Sequence, residues 1–183
     1  ITRLKEPGLK AQKRLAESWA KEESVPLSKV LETIDKGIYH EAEKFYQDLV
    51  EYGKEIEKEL PVKMGAGGNC FLLYFLCKKY IPETIVETGV SMGYSSQTVL
   101  SCIKENSVGH LYSSDFPYFR IDNPEKYIGC IVEESLKENW TLKTAGDRKN
   151  LPEIVQDLQS IDLFHFDSDR NGMSNYGRAN CLS

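Results

Sequence analysis

The stretch Thr84-Ile85-Val86-Glu87-Thr88-Gly89-Val90-Ser91-Met92-Gly93 constrains the fold more than any other. A short β-branched run enters a turn with glycines at 89 and 93, and residues 94–103 then read as a helix. A strand that turns through glycines into a helix is the first half of a crossover, and a crossover returns the chain to a parallel strand. The alternation continues downstream. Residues 110–114 read as a second strand, and 124–137 as a helix. Residues 140–143 form a short third strand, 148–158 a helix with Pro152 in its first turn, and 161–166 a fourth strand. The expected fold class is therefore α/β, a parallel sheet covered by helices on both faces.

Residues 1–62 have a different texture and form an expected N-terminal helical segment, with the α/β domain spanning 63–183. Between 27 and 60, Val30, Leu31, Ile34, Ile38, Phe45, Leu49, Tyr52, Ile56 and Leu60 recur mostly at three or four. Ser28 is the expected cap, Gly37 the expected break and Pro61 the stop. Such a segment is either a lid or dimerisation arm, or a plain appendage packed on the core. The loop Gly65-Ala66-Gly67-Gly68-Asn69 before an apolar helix at 70–79 is either a turn or an anion-facing loop.

Composition excludes several classes. A net charge of −5 argues against a nucleic-acid partner, which needs a basic face. No apolar run approaches the roughly 18 residues that span a bilayer, so no membrane partner is expected. Five cysteines without C-x-x-C spacing, and only three histidines, do not make a zinc site; they fit buried, reduced thiols in a cytoplasmic protein.

In an open α/β sheet, ligands bind beyond the carboxyl ends of the strands. At the first strand end, Gly89 and Gly93 let the backbone turn and approach a ligand, while Ser95 and Ser96 stand at the mouth of the next helix, where a carboxylate binds. The second strand ends in Asp115, whose carboxylate can accept from both hydroxyls of a ribose. Gly146-Asp147 follows the third strand and Asp167-Ser168-Asp169 the fourth. Together these features point to a nucleoside cofactor, and spacing alone does not separate NAD from S-adenosylmethionine. Two features favour the second. The glycines lack the G-x-G-x-x-G order of a dinucleotide site, and Glu87 would repel a pyrophosphate but suit an ammonium.

The run from Val86 to Ser96 resembles the first motif of class I S-adenosylmethionine-dependent methyltransferases, and of methyltransferase domain family 24 in particular. Gly109 to Pro117, Trp140-Thr141-Leu142 with Gly146-Asp147 and Leu151-Pro152, and Ile161 to Asp169 resemble later segments of the same group in the same order. The resemblance covers about residues 63–178. It implies a Rossmann-like sheet and a cofactor lined by Glu87, Thr88, Gly89, Ser91, Gly93, Tyr94, Ser95 and Ser96. It sets Asp115 at the ribose, Phe116 beside the adenine and Asp147 near the adenine amino group. Asp167 matches the catalytic carboxylate that binds a divalent cation such as Mg²⁺ in metal-dependent relatives.

Arg170 stands where relatives often carry a histidine, and the chain stops at Ser183, after the fourth of seven expected strands. A truncated sheet is therefore expected. The implied activity is methyl transfer to an oxygen or nitrogen of a small molecule, a sugar or secondary metabolite. The alternative is a catalytically inactive cofactor-binding or scaffold domain with the same fold, and a nucleotide-dependent oxidoreductase is the third reading. The apolar stripes of the N-terminal helices need cover, which a homodimer would supply. Two other readings are structural: Trp140 as a core residue and His165 as a packed strand residue. Phe116, Tyr118 and Phe119 could form a cofactor or substrate wall.

Overall fold

The structure is a computed structural model that describes residues 9–61, 64, 69–117 and 121–168. Two compact units divide between Tyr39 and His40. The first holds α1 (Leu9–Glu23) and α2 (Leu27–Ile34). Pro26, not Ser28, occupies the cap of α2, and no side chain bonds there. Proline fixes φ, here −54°, so the chain enters the helix one residue before the serine could cap it. The expected break at Gly37 falls instead at Asp35, which is extended (φ −160°). The Asp35 carboxylate accepts the Ile38 N–H at 3.2 Å and starts α3 (Lys36–Glu57), which contains Gly37.

From His40 onward the chain belongs to the second unit, which contains the sheet. Here α3 lies beside α4 (Cys70–Tyr80), with Phe45 stacked on Tyr74 at 4.5 Å between ring centroids. Asn69 caps α4 by accepting the Leu72 N–H at 3.1 Å. The strands are β1 (Thr84–Thr88), β2 (His110–Ser114), β3 (Trp140–Lys143) and β4 (Leu163–Phe166), all parallel in the order β3-β2-β1-β4. β1 is central among them, and its last four residues are buried. Register puts Glu87 between Ser113 and His165, and Thr88 between Ser114 and Phe166. Successive strand residues face opposite sides, so these are two separate rows.

One face of the sheet meets α5 (Tyr94–Asn106), which reaches Glu87 through Ser96. The other meets α6 (Asp147–Val155), which reaches Ser114 through Asp147 and Asn150. The expected two-sided α/β arrangement is present. Three of its details differ. The helix expected over 124–137 is two 3-10 turns, Pro124–Tyr127 and Glu134–Asn139. Between them the Gly129 and Ile131 amides donate to Ser91 O and Met92 O, at 2.8 and 3.1 Å, so they are not available to a helical ladder. Pro152 sits inside α6, the sixth residue from its start, because the helix begins at Asp147. The fourth strand starts at Leu163 because Asp162 is used as a clamp. Its carboxylate accepts the Glu83 and Thr84 N–H groups at 3.0 and 2.9 Å, and its own N–H donates to Thr84 O.

A buried apolar cluster seats the glycine loop. Leu49 of α3, Met64, Cys70, Met92, Tyr94 and Ile131 are buried together. Met92 is the loop's anchor, fully buried, and such a side chain stabilises by about 1.5–3 kcal/mol. Gly53 lets α3 approach this cluster, since a Cβ there would overlap the Tyr94 ring. Gly53→Ala is therefore expected to destabilise the second unit by about 1–3 kcal/mol despite alanine's better helix propensity. Urea unfolding would show it; an unchanged or raised midpoint would mean that α3 does not pack on Tyr94.

Candidate functional site

The carboxyl ends of β1 to β4 bring most of the expected residues together. At their centre Glu87 is fully buried. Its Oε2 accepts from Ser96 Oγ at 2.6 Å and Ser113 Oγ at 2.8 Å, and Ser113 Oγ in turn accepts from Trp140 Nε1 at 2.8 Å. Oε1 is buried without a hydrogen-bond partner among the described residues. Burial pushes the Glu87 carboxyl above its ordinary range. The hydroxyls of Ser95, Ser96 and Ser113 and the ring of His165 act in the other direction.

The glycine loop above Glu87 is tied to the next strand. Asp115 Oδ2 accepts the Val90 and Ser91 N–H groups at 2.9 and 2.6 Å, and Oδ1 accepts its neighbour Phe116 N–H at 2.6 Å. Three of its roughly four acceptor positions are therefore used within the chain. Ser91 itself takes a left-handed conformation (φ 51°) at this turn. The glycines have reasons inside the protein. A Cβ on Gly89 would collide with the Asp167–Ser168 backbone, and one on Gly93 with Gly129 Cα. Phe116 is half exposed, with one side of its ring against Gly146.

Asp147 joins the strand ends on either side of β1. Its Oδ1 accepts from Ser114 Oγ at 2.6 Å and its Oδ2 from Ser168 Oγ at 2.7 Å. Asn150, one turn along α6 and buried, donates to Ser114 Oγ and Lys143 O at 2.9 Å each and accepts the Ala145 N–H. Two expected cofactor residues point elsewhere. Tyr94 is turned into the core cluster below the loop, and Thr88 is buried on the sheet face opposite Glu87.

Asp167 is exposed, and with Tyr46, Asn69, Cys70 and Phe71 it lines a cavity of about 580 Å³. Burial pushes the Cys70 thiol up to about 11, so it stays protonated and is no nucleophile at neutral pH. The resemblance implies a divalent cation at Asp167. Among the described residues no group of three or more His, Cys, Asp or Glu could hold one, so the described donors do not fit a cation site. Residues 65–68, Tyr118, Phe119, Asp169, Arg170 and Cys181 lie outside the described residues.

A family model for a methyltransferase domain matches residues 86–177, half of the chain and all four strand ends. The chain belongs to that methyltransferase domain family. Its fold is likewise that of solved methyltransferases. The SAH-bound Podospora anserina methyltransferase PaMTH1 is 14% identical with a TM-score of 0.50, over 97% of this chain and 64% of that one. The SAH structure of cmcI-N160 is 18% identical (TM-score 0.38, 63% and 53% covered), and a candidate O-methyltransferase from Klebsiella pneumoniae is 15% identical (TM-score 0.41, 90% and 64%). The methyltransferase domain described here thus spans just under two thirds of the PaMTH1 chain. No curated protein sequence matches it.

Ser113, Trp140, Gly129 and Asn150 are the site residues that sequence reasoning missed. The only signal was a pair of hydroxyl residues, Ser113-Ser114, ending an otherwise apolar strand. The burial of Glu87 has a measurable consequence. Its folded carboxyl binds protons more tightly than the ordinary value of 4.5. The stability it contributes is full below 4.5 and falls as pH rises toward the folded value, by at most about 1.4 kcal/mol per pH unit. Glu87→Gln is expected to remove this decline, measured as unfolding free energy in urea from pH 4.5 to 8; parallel profiles for the two proteins would refute it.

Proposed function

We propose that this methyltransferase domain binds S-adenosylmethionine at the β1–β3 ends and transfers its methyl group to an oxygen or nitrogen of a small molecule. The single observation that carries the reading is the buried Glu87 oxygen with no partner among the described residues, beside a glycine loop in a chain of this family. A carboxyl oxygen in that position suits the cofactor's ammonium, directly or through water. The α5 N-terminus suits its carboxylate through the backbone N–H groups of Ser95 and Ser96, since the Ser96 hydroxyl is already given to Glu87. Asp115 has one acceptor position left for a ribose hydroxyl while it holds the loop; accepting the second means releasing a loop amide. The half-exposed Phe116 ring offers a surface for the adenine, and Asp147 lies in the same corner.

The cofactor supplies an electrophilic methyl carbon on sulfur. The cavity beside Asp167 is within the size range of small-molecule sites and would take the acceptor. Asp167 accepts the proton of the acceptor's hydroxyl or amine as the new bond to carbon forms and the sulfur–carbon bond breaks. The Tyr46 and Phe71 rings and the Asn69 amide flank the acceptor and hold it in line. A cation at Asp167 would need ligands from outside the described residues, and no step here depends on one.

The net charge of −5 supports a small-molecule acceptor over nucleic acid. Among the described residues no helix is long and apolar enough to cross a membrane, and the described cysteines are free, which suits a reducing cytoplasm. A homodimer would cover apolar side chains such as Leu15 and Trp19, which are exposed on α1.

Calorimetric titration of the intact protein with S-adenosylhomocysteine tests the central claim. Saturable binding is expected, and a folded protein that does not bind refutes it. Asp115→Ala is expected to weaken that binding by about 1–3 kcal/mol; wild-type affinity in that variant would remove Asp115 from the site.

A further inference from the structure

We propose that Trp140 and Ser113 are positioning residues for the cofactor: one indole, two strands from the glycine loop, fixes both the Glu87 carboxyl and the seat of the loop. The inference rests on the S-adenosylmethionine reading above and assigns work to residues outside the glycine motif.

The first contact is the polar one. An indole nitrogen can only donate. Trp140 Nε1 therefore fills an acceptor position on Ser113 Oγ, at 2.8 Å, and the serine's own hydrogen is left to point at Glu87 Oε2. Ser96 supplies a second donor to the same oxygen at 2.6 Å. With Oε2 held by two donors, the carboxyl cannot turn without breaking a buried hydrogen bond, and Oε1 stays fixed, with no partner among the described residues.

The second contact is steric and independent of the first. The far edge of the same indole lies against Gly129, where a Cβ would overlap it. Gly129 in turn packs on Gly93 and donates its N–H to Ser91 O at 2.8 Å. The Trp140 ring thus supports the loop from beneath, while its N–H sets the group that the loop covers. A core tryptophan needs neither contact: ring burial would be satisfied in many orientations, whereas this one is fixed at both ends.

The polar chain also controls charge. Glu87 is faced by Ser113 from β2, His165 from β4, Ser95 and Ser96 from α5 and Cys70 from α4. The hydroxyl donors favour its ionised form, the form that holds an ammonium. Loss of the Trp140 donor frees Ser113 to turn away, so Glu87 takes up its proton at higher pH and cofactor affinity fails earlier on the acid side.

The test is the affinity of the intact protein for S-adenosylhomocysteine between pH 5 and 8, for wild type, Trp140→Phe, Ser113→Ala and Ser113→Thr. Trp140→Phe and Ser113→Ala are expected to bind about tenfold more weakly at neutral pH. In both, the acid limb of the profile moves to higher pH, while Ser113→Thr, which keeps the hydroxyl, stays near wild type. A purely structural role would weaken binding equally at every pH and overturns the proposal, as does wild-type affinity in both variants. If Trp140→Phe does not fold, the Ser113 pair decides alone. Failure of the wild-type protein to bind would refute the cofactor reading and this inference with it; a wild type that binds beside unshifted variants refutes only the inference.

Discussion

A carboxyl group without access to water, at the end of the central strand, is the constraint around which the site is built. Glu87 is fully buried, and a buried acid is costly whether ionised or neutral unless its oxygens find partners. That requirement selects what surrounds it. α5 must bring a hydroxyl in its first turn, which Ser96 does; β2 must end in a hydroxyl on the same face, which Ser113 does; and β3 must begin with a donor to orient that hydroxyl, which Trp140 does. Among the described residues the requirement is met for one oxygen and not for the other. Native proteins rarely leave such a group unpaired, so a buried acid satisfied on one side only is where a ligand is to be sought.

The same economy holds at the neighbouring strand ends. Asp115 and Asp147 make three and two side-chain hydrogen bonds to their own chain. These bonds carry information about geometry. Asp115 fixes the loop amides, Asp147 links β2 to the segment after β4, and Gly89 lets that segment pass directly over the loop. A ligand arriving here exchanges bonds already made, so its net affinity is the difference between two satisfied states. What it gains is a site whose loop conformation is set before binding, which lowers the ordering cost.

Much of this was legible in the sequence, and the illegible part has a common cause. The bounds of β1 follow from a β-branched run and those of β2 and β3 from short runs holding an aromatic and a leucine between turn residues, and the acids at the strand ends follow from the topology of a parallel sheet. The errors occur where a distant partner takes over a local group. Residues 124–137 have helix-compatible composition, but Gly129 and Ile131 give their amides to the loop after β1, some forty residues earlier in the chain. Asp162 looks like strand and is a clamp for another strand's first residues. One misreading is local: Asp35 ends α2 because its carboxylate caps α3 three residues on, where glycine looked the better breaker. Trp140 reads as core from hydrophobicity alone. Its role needs the register of three strands, which a one-dimensional pattern does not contain.

In the proposed reading, two carboxyls on neighbouring strands divide two tasks. Glu87 on β1 and Asp167 beyond β4 are both at the carboxyl end of the sheet, yet one is sealed and the other exposed. Sealing suits a group that holds a fixed charge on a cofactor, because a low dielectric strengthens a pairing that does not change during turnover. Exposure suits a group that must take a proton and return it to water in every cycle. The division comes from position in the sheet. β1 has a neighbour on each side and α5 across one face, whereas β4 has β1 alone among the described strands. The chemistry assigned to each acid therefore follows from strand order as much as from residue type.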